Sequence, residues 1–213
     1  MNDRTWELIT THLEAGDYSI FSSQQSAPSA KVLRDTAKGL GCKFPDEFIA
    51  HASNEFGGVY IEVKEEIWPR AKEFDVAPFW SFLYGLYTFN IAEGIPDFMD
   101  LAESGRQFQE DTHLKAVPFL KVIGDADVYC FDKSGKIVRY NHELNELEPE
   151  SRSFFELLDY ELSELAQRKK RKKALLKSTK KKSIKKKAAK KATAKKKSAP
   201  KKASKTKAPK KKK

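Results

Sequence analysis

This sequence of 213 residues holds 41 basic and 30 acidic side chains, and 26 of the basic ones but none of the acidic ones lie in residues 168–213. Residues 1–167 therefore carry 15 basic and 30 acidic side chains, and they also contain every Trp, Tyr and Phe. This distribution excludes a uniformly basic protein, while two cysteines and the lack of a long apolar run argue against a disulfide-stapled scaffold and a membrane-spanning helix.

Three short helices are predicted in the first quarter of the chain. Residues 3–14 have amphipathic spacing, with Asp3 as the N-cap. The side chains expected to face inward on this helix are Trp6, Ile9 and Leu13. Further helices are predicted at 31–39 and at 45–53, and Pro45 suits the opening of the latter.

Alternating apolar residues then indicate β-strands joined by turns. Gly135 lies between the last two predicted strands and suits the positive φ of a hairpin turn. The five predicted strands are residues 57–63, 80–89, 116–123, 127–132 and 136–140.

Two longer helices complete the predicted elements. The first, at 95–111, is opened by Pro96. Its side chains expected to face inward are Phe98, Leu101 and Phe108. The second, at 151–167, is capped by Ser151 or Ser153. Its apolar stripe comprises Phe154, Leu157, Leu158, Leu162 and Leu165.

The order of these elements predicts an α+β fold, in which a mostly antiparallel sheet packs with N-terminal, middle and C-terminal helices. Residues 168–213 contain only three large apolar side chains, too few to offset the entropy of ordering the chain. We therefore predict one domain at 1–167, followed by a disordered Lys/Ala-rich tail at 168–213.

Several short motifs follow one another in order between residues 30 and 165. They include LGCKFPDEF, LYGL at 83–86, VPFLKVIGDADVYCFDKSGKIVRY at 117–140 and SFFELL at 153–158. Their order and spacing resemble the SUKH superfamily, in particular its Smi/Knr branch of cell-wall assembly regulators and bacterial toxin-immunity proteins. The positions that carry the resemblance, with structural roles, are Pro45, Asn54, Gly57, Gly58, Trp80, Gly124, Asp125, Tyr129, Phe131, Gly135 and Phe154.

This resemblance implies a protein-interaction fold without catalytic activity. Bacterial members are often immunity proteins that neutralise secreted toxins, many of them nucleases, and the yeast branch acts through partners in cell-wall signalling. The family has no shared catalytic residue to carry over, and its partner surfaces vary, so the resemblance implies a class of action and an unknown protein partner, such as a toxin.

The lysine-rich segment predicts binding to nucleic acid. Its lysine clusters alternate with Ala, Ser, Thr and Pro, which resembles linker-histone tails, and they would bind phosphates by releasing counterions without reading sequence. DNA, RNA, another anionic surface and a merely solubilising role all remain open. The predicted nucleic-acid-binding residues are Arg168, Lys169, Lys170, Arg171, Lys172, Lys173, Lys180, Lys181, Lys182, Lys185, Lys186, Lys187, Lys190, Lys191, Lys195, Lys196 and Lys197.

Acidic residues give a second, weaker indication of function. A cluster in the folded part offers a surface that mimics a nucleic acid backbone, although an ordinary solvated surface explains it more simply. Its candidate partner-binding residues are Glu62, Glu65, Glu66, Glu73 and Asp75. Asp125, Asp127 and Asp132 invite a metal hypothesis, but their spacing fits no EF-hand loop. We predict no metal, no cofactor and no catalytic residues.

The combined prediction is a non-enzymatic, immunity-type SUKH domain tethered to nucleic acid by a polybasic tail. The alternative is a nucleoid- or chromatin-associated structural DNA-binding protein in which the tail is the active part. Because the first residues lack a signal peptide pattern, we expect a cytoplasmic protein associated with the nucleoid, or a nuclear one in a eukaryote.

Overall fold

A computed structural model describes residues 3–23, 26–71 and 78–197, the last stretch with side chains as far as residue 176. Seven strands form one sheet in which each strand pairs antiparallel with the next along the chain. The strands are β1 (Tyr18–Phe21), β2 (Tyr60–Val63), β3 (Gly85–Thr88), β4 (Ala116–Val122), β5 (Val128–Asp132), β6 (Ile137–Asn141) and β7 (Glu146–Pro149). Together with the helices, this confirms the predicted α+β class.

Aspartate side chains cap the N-termini of two α-helices, and one of these caps is predicted by the sequence. The Asp3 carboxylate accepts hydrogen bonds from the backbone N–H groups of Thr5 and Trp6, which confirms the predicted N-cap. Asp100 accepts in the same way from the backbone N–H of Glu103. The α-helices are α1 (Arg4–His12), α2 (Ala30–Gly39), α3 (Asp46–Ala52), α4 (Leu101–Thr112) and α5 (Phe154–Lys197), and two 3-10 helices span Phe79–Phe82 and Asp97–Met99.

The start of α5 is fixed by two carboxylates. Glu156 accepts a hydrogen bond from the backbone N–H of Ser153 at 2.8 Å, the arrangement of a capping box. Glu47 of α3 accepts from the backbone N–H of Phe155 at 3.1 Å. These contacts satisfy N–H groups that a helix N-terminus leaves without partners, and they tie α5 to α3.

The core lies where α5 and α3 cover one face of the sheet. Phe119 and Phe131 stack at 4.0 Å between ring centroids, and Phe48 of α3 and Phe154 of α5 pack against them. The predicted stripe on α5 is confirmed, since all five of its side chains are at most 1% exposed. They are Phe154, Leu157, Leu158, Leu162 and Leu165.

Several predicted boundaries and orientations are wrong. The strand predicted at 80–89 is confined to β3, because residues 79–82 after Pro78 form a 3-10 helix. The helix predicted at 95–111 begins only at Leu101, after the 3-10 turn that follows Pro96. Phe98 in that turn is therefore 53% exposed and does not face inward. Trp6 is 45% exposed and stacks on Phe56 at the surface.

The last helix extends beyond its predicted end at Gln167. The chain divides into two compact units, Met1–Lys173 and Ala174–Lys213, and α5 continues as far as Lys197. Residues 168–173 of the predicted tail therefore belong to the folded unit, and α5 includes residues 168–197, whereas the disorder predicted for the segment from residue 174 onward stays a prediction. Its remainder, residues 198–213, lies outside the described residues.

A buried histidine connects α1, α3 and the sheet. His51 is fully buried, and its two ring nitrogens bond the hydroxyls of Thr5 at 2.8 Å and Thr88 at 3.0 Å. The Thr88 hydroxyl also accepts from the backbone N–H of Val59. Burial lowers the pKa of His51 to about 3, because the charged imidazolium would lose its hydration there.

We expect His51 to weaken the folded state in acid. Its folded pKa lies below the ordinary 6.5, so its contribution is complete above pH 6.5 and is lost as the pH falls towards about 3. The slope reaches about 1.4 kcal/mol per pH unit. The variant His51→Gln keeps a donor and an acceptor but does not titrate, so urea unfolding should show a shallower pH dependence in this window. Equal slopes for both proteins would contradict the assignment.

Candidate functional site

Residues 168–173 lie in the folded unit, and four of their six basic side chains contact charged or aromatic side chains there. The Lys169 ammonium donates to Asp17 at 2.7 Å and to Glu14 at 3.2 Å, and it lies over the ring of Tyr18. Its side chain is only 1% exposed. Asp17 and Glu14 come from the turn between α1 and β1, so this contact joins the two ends of the folded unit.

Neighbouring cations of α5 are engaged in the same way. Lys173 donates to Asp17 at 2.6 Å, and the hydrogen bonds from Lys169 and Lys173 lower the pKa of Asp17 to about 2. Arg168 pairs at 3.4 Å with the buried carboxylate of Glu161.

Lys172 lies near two tryptophan rings. Its ammonium is 5.3 Å from the centroids of both Trp68 and Trp80, a distance suited to cation–π attraction. Burial, together with the positive charge of Arg70, lowers the pKa of Lys172. Trp68 is itself buried and donates its indole N–H to the carbonyl of Ser81 at 2.8 Å, which fixes one side of the contact.

These contacts correct part of the predicted nucleic-acid-binding set. An ammonium that is 1% exposed has no surface to offer a phosphate, so Lys169 serves the fold. Lys170 and Arg171 are exposed. For the predicted lysines from Lys180 to Lys197 the structure describes the helix but not the side chains, and their binding role stays a prediction.

Aromatic side chains cover the outward face of the sheet at β1, β2 and β3. Phe21 is opposite Tyr60, and Tyr60 is opposite Tyr87, so the three rings lie side by side on the face away from Ile61 and Leu86. Phe98 packs edge-on against both tyrosines, at 6.3 Å from Tyr60 and 5.3 Å from Tyr87. We call Phe21, Tyr60, Tyr87 and Phe98 the aromatic surface.

A cavity opens within the aromatic surface. It has a volume of about 230 Å³ and lies between Phe21 and Phe98. Gly58 lines it with φ of +65°, and a Cβ there would come within 2.9 Å of Asn90 Cβ, so glycine shapes this wall. The other lining residues include Tyr60, Ile95, Pro96 and Met99.

A shallow groove continues on the other side of Phe98. It has a volume of about 400 Å³ and runs between α4 and the outward face of the sheet. Glu103 and Asp111 of α4 line it, as does Lys121 of β4, whose ammonium donates to the carbonyls of Ala126 and Asp127. The rim of the aromatic surface is thus mainly acidic.

The predicted acidic cluster is divided in the structure. Glu62 lies beside the aromatic surface, where it accepts from the hydroxyl of Tyr60 and pairs with Arg70 at 3.1 Å. Glu65 and Glu66 are exposed. Glu73 and Asp75 lie outside the described residues.

The three aspartates of the metal hypothesis have protein partners. Asp125 and Asp127 both pair with Arg139, at 3.1 and 3.2 Å, and Asp127 also accepts from His142. Asp132 accepts from the backbone N–H groups of the hairpin turn. Over the described residues, no group of three metal-ligating side chains comes together.

Most residues behind the family resemblance shape the fold. Tyr129, Phe131 and Phe154 are buried, and the Tyr129 hydroxyl donates to Glu161 at 2.8 Å. Gly124 has φ of +82°, and a Cβ there would come within 2.6 Å of the carbonyl oxygen of Phe82.

Turns hold most of the other resemblance positions. The Asn54 side chain donates to the carbonyl of Ala50, and Gly57 leaves no room for a Cβ beside Ala52. Pro45 precedes α3, and Gly135 forms the hairpin turn with φ of +87°. Trp80 differs from these positions, since it is 44% exposed and belongs to a surface group with Phe79 and Phe82.

Sequence reasoning missed the partners of Lys169 and the aromatic surface. Tyr60 and Tyr87 lie in predicted strands at positions opposite to the buried ones, so alternation alone could have placed them outward. Nothing local distinguishes Asp17 or Glu14 from other acidic residues.

Comparison with known protein families identifies the family of the folded unit. The SMI1 / KNR4 family (SUKH-1) matches residues 27–160, which is more than half of the chain. The chain belongs to the SMI1/KNR4 family. No curated protein matches it as a relative. Within this SUKH-1 chain, the match includes Tyr60, Tyr87 and Phe98, whereas Phe21 and Lys169 lie outside it. None of the helices in the described residues is long and apolar enough to span a membrane.

We expect the contact of Lys169 with Asp17 and Glu14 to contribute measurably to the free energy of unfolding. Lys169→Met keeps the apolar stem but removes the ammonium, so Asp17 loses one of its two ammonium partners. The full chain should melt roughly 2–8 °C lower, for a loss of about 1–2 kcal/mol. The matched control is Lys170→Met, because Lys170 is the exposed neighbour.

The difference in melting temperature between Lys169→Met and the unaltered chain should depend on pH. The lowered pKa of Asp17 adds stability above its ordinary 3.8, and this is lost as the pH falls through about 2. The gap between the melting temperatures of Lys169→Met and the unaltered chain should therefore narrow in acid. Equal melting temperatures for Lys169→Met and Lys170→Met at neutral pH would show that the contact of Lys169 with Asp17 does not stabilise the fold.

Proposed function

We propose that this SUKH-1 chain is a non-enzymatic protein-binding module of the immunity or cell-wall type, held on nucleic acid by residues 174–213. The observation that supports binding to nucleic acid is the charge of residues 174–213. This segment contains 20 of the 26 basic residues that follow Gln167, the other six lying at 168–173, and it contains no acidic residue. Such a density of cations binds phosphates by counterion release.

The folded unit would not bind nucleic acid well without this segment. Residues 1–173 hold all 30 acidic and 21 basic side chains, a formal charge of −9. Four of the cations nearest the boundary are engaged within the unit, namely Arg168, Lys169, Lys172 and Lys173. An acidic domain repels a phosphate backbone, so affinity should reside in residues 174–213.

The specificity of the module is assigned to a protein partner. Family membership supports a role in protein interaction, and an immunity-type function implies a toxin as the partner. Exposed aromatic rings are typical of the centres of protein interfaces. A purely architectural DNA-binding protein, in which residues 174–213 are the active part, would have no use for such a surface.

We expect the salt dependence of nucleic-acid binding to follow the lysines of the segment. The full chain should bind a short DNA duplex in a gel-shift titration, with log K falling against log salt by about 0.9 per phosphate neutralised. A chain with eleven lysines changed to Gln should show a slope reduced by roughly half, since nine basic residues remain in 174–213. The changed residues are Lys180, Lys181, Lys182, Lys185, Lys186, Lys187, Lys190, Lys191, Lys195, Lys196 and Lys197.

The control variant keeps the positive charge at the eleven positions and changes only the type of side chain. Arg at the same eleven positions should preserve the slope, because counterion release depends on charge and not on residue type. A parallel titration with single-stranded RNA separates DNA from RNA preference. If the unaltered chain binds neither DNA nor RNA at low salt, or if the Gln variant keeps the full slope of log K against log salt, the proposed tether to nucleic acid is wrong.

A further inference from the structure

The aromatic surface is an unusual outward face for an antiparallel sheet. Such sheets normally turn apolar side chains to the core and polar ones to water. Here the core-facing row holds Ile61 and Leu86, and the outward row holds Phe21, Tyr60 and Tyr87. Phe21 is 63% exposed and Phe98 is 53% exposed, so the outward rings are only partly covered by one another. Contiguous exposed apolar surface of this kind marks an interaction site.

The cavity beside these rings suits one side chain of a partner. Its volume of about 230 Å³ lies below the roughly 300–1,000 Å³ of sites for small-molecule ligands. Its walls are mainly apolar and include Ile95, Pro96 and Met99. Interfaces gain most of their energy from a few anchors that fill such pockets, surrounded by contacts that exclude water.

Charge around the surface specifies the chemistry of the partner. Asp97 follows Pro96 at the cavity and is exposed, and Glu103 and Asp111 line the adjoining groove. Among the described residues, Arg106 pairs with Glu103 at 2.6 Å and Lys121 donates to two carbonyls, whereas Asp97 and Asp111 form no ion pair, so the carboxylates outnumber these cations. The rim is thus complementary to a basic protein surface.

We propose that the aromatic surface is the docking site for a basic protein partner, which inserts one apolar side chain between Phe21 and Phe98 and places Lys or Arg against the acidic rim. The proposal rests on the protein-binding part of the proposed function and is independent of the nucleic-acid tether. Bases of single-stranded nucleic acid also stack on aromatic rings of a sheet, as in RNA-binding domains. That occupant is disfavoured, because carboxylates at the rim repel its phosphates.

The test uses a phage-displayed library of random peptides as the probe, selected on the full chain. The library is first cleared on a synthetic peptide of residues 174–213. This peptide carries the lysine-rich segment alone, so clearing removes acidic peptides that bind the segment without selecting for or against any residue of the folded unit. Peptides that survive should carry a net positive charge and at least one large apolar residue.

Binding of an enriched peptide is then measured by fluorescence anisotropy. Phe98→Asp should weaken it at least tenfold, and the pair Asp97→Asn with Glu103→Gln should weaken it by a factor of roughly 2–5, an effect that disappears at high salt. The matched control is Phe79→Asp, which changes a phenylalanine of similar exposure, 59%, outside the aromatic surface. All variants should have the same melting temperature as the unaltered chain, since the replaced side chains are exposed.

Three outcomes would overturn the proposal. One is a selection that yields no basic peptide. Another is a peptide affinity that is lowered by Phe79→Asp and not by Phe98→Asp. That result would support a protein-binding function but would place the binding surface outside the aromatic surface. The third is a single-stranded oligonucleotide that binds the eleven-fold Lys→Gln chain and loses affinity with Phe98→Asp. None of these results depends on the salt slope that tests the tether.

Discussion

The fold depends on one packing interaction, the burial of the α5 stripe against the inner face of the sheet. Over residues 116–149 no helix lies between β4, β5, β6 and β7, so the core face of these strands must be covered by helices from elsewhere in the chain. Phe154, Leu157 and Leu162 do this, and Phe48 of α3 closes the cluster. Truncating one such side chain to Ala would cost about 2–5 kcal/mol, comparable to a large part of the stability of an ordinary domain.

Because α5 both covers the core and continues into the lysine-rich segment, the lysines of one helix belong to two different compact units. Lys169 and Lys173 complete a carboxylate site near the N-terminus, whereas the lysines beyond residue 174 belong to the second compact unit. Composition does not separate these two groups of lysines. The distinction depends on Asp17 and Glu14, which precede Lys169 by about 150 residues and meet it only because α1, β1 and α5 are neighbours in the fold.

The sequence predicted the elements whose patterns are local and long. The α5 stripe and the Asp3 cap follow from spacing, and the central strands follow from alternation. The edge strands β1 and β7 were missed because four residues give too short a pattern, and the 3-10 helix at Phe79–Phe82 has a composition typical of a strand. At the candidate site, Tyr60 and Tyr87 were within reach of sequence reasoning. Phe98 was not, since its exposure depends on where the 3-10 turn ends and α4 begins.

The two faces of the sheet explain how affinity and specificity can be separated in one chain. The inner face is committed to the core, so any recognition by the sheet must use the outward row of Phe21, Tyr60 and Tyr87. Apolar contacts there are little affected by salt, whereas binding through lysines weakens steeply as salt rises. An acidic rim also keeps the aromatic surface from competing for the nucleic acid that the basic segment would hold. Under the proposed function, the opposite charges of the two parts would therefore direct each to a different class of partner, which a uniformly charged chain of the same net charge could not do.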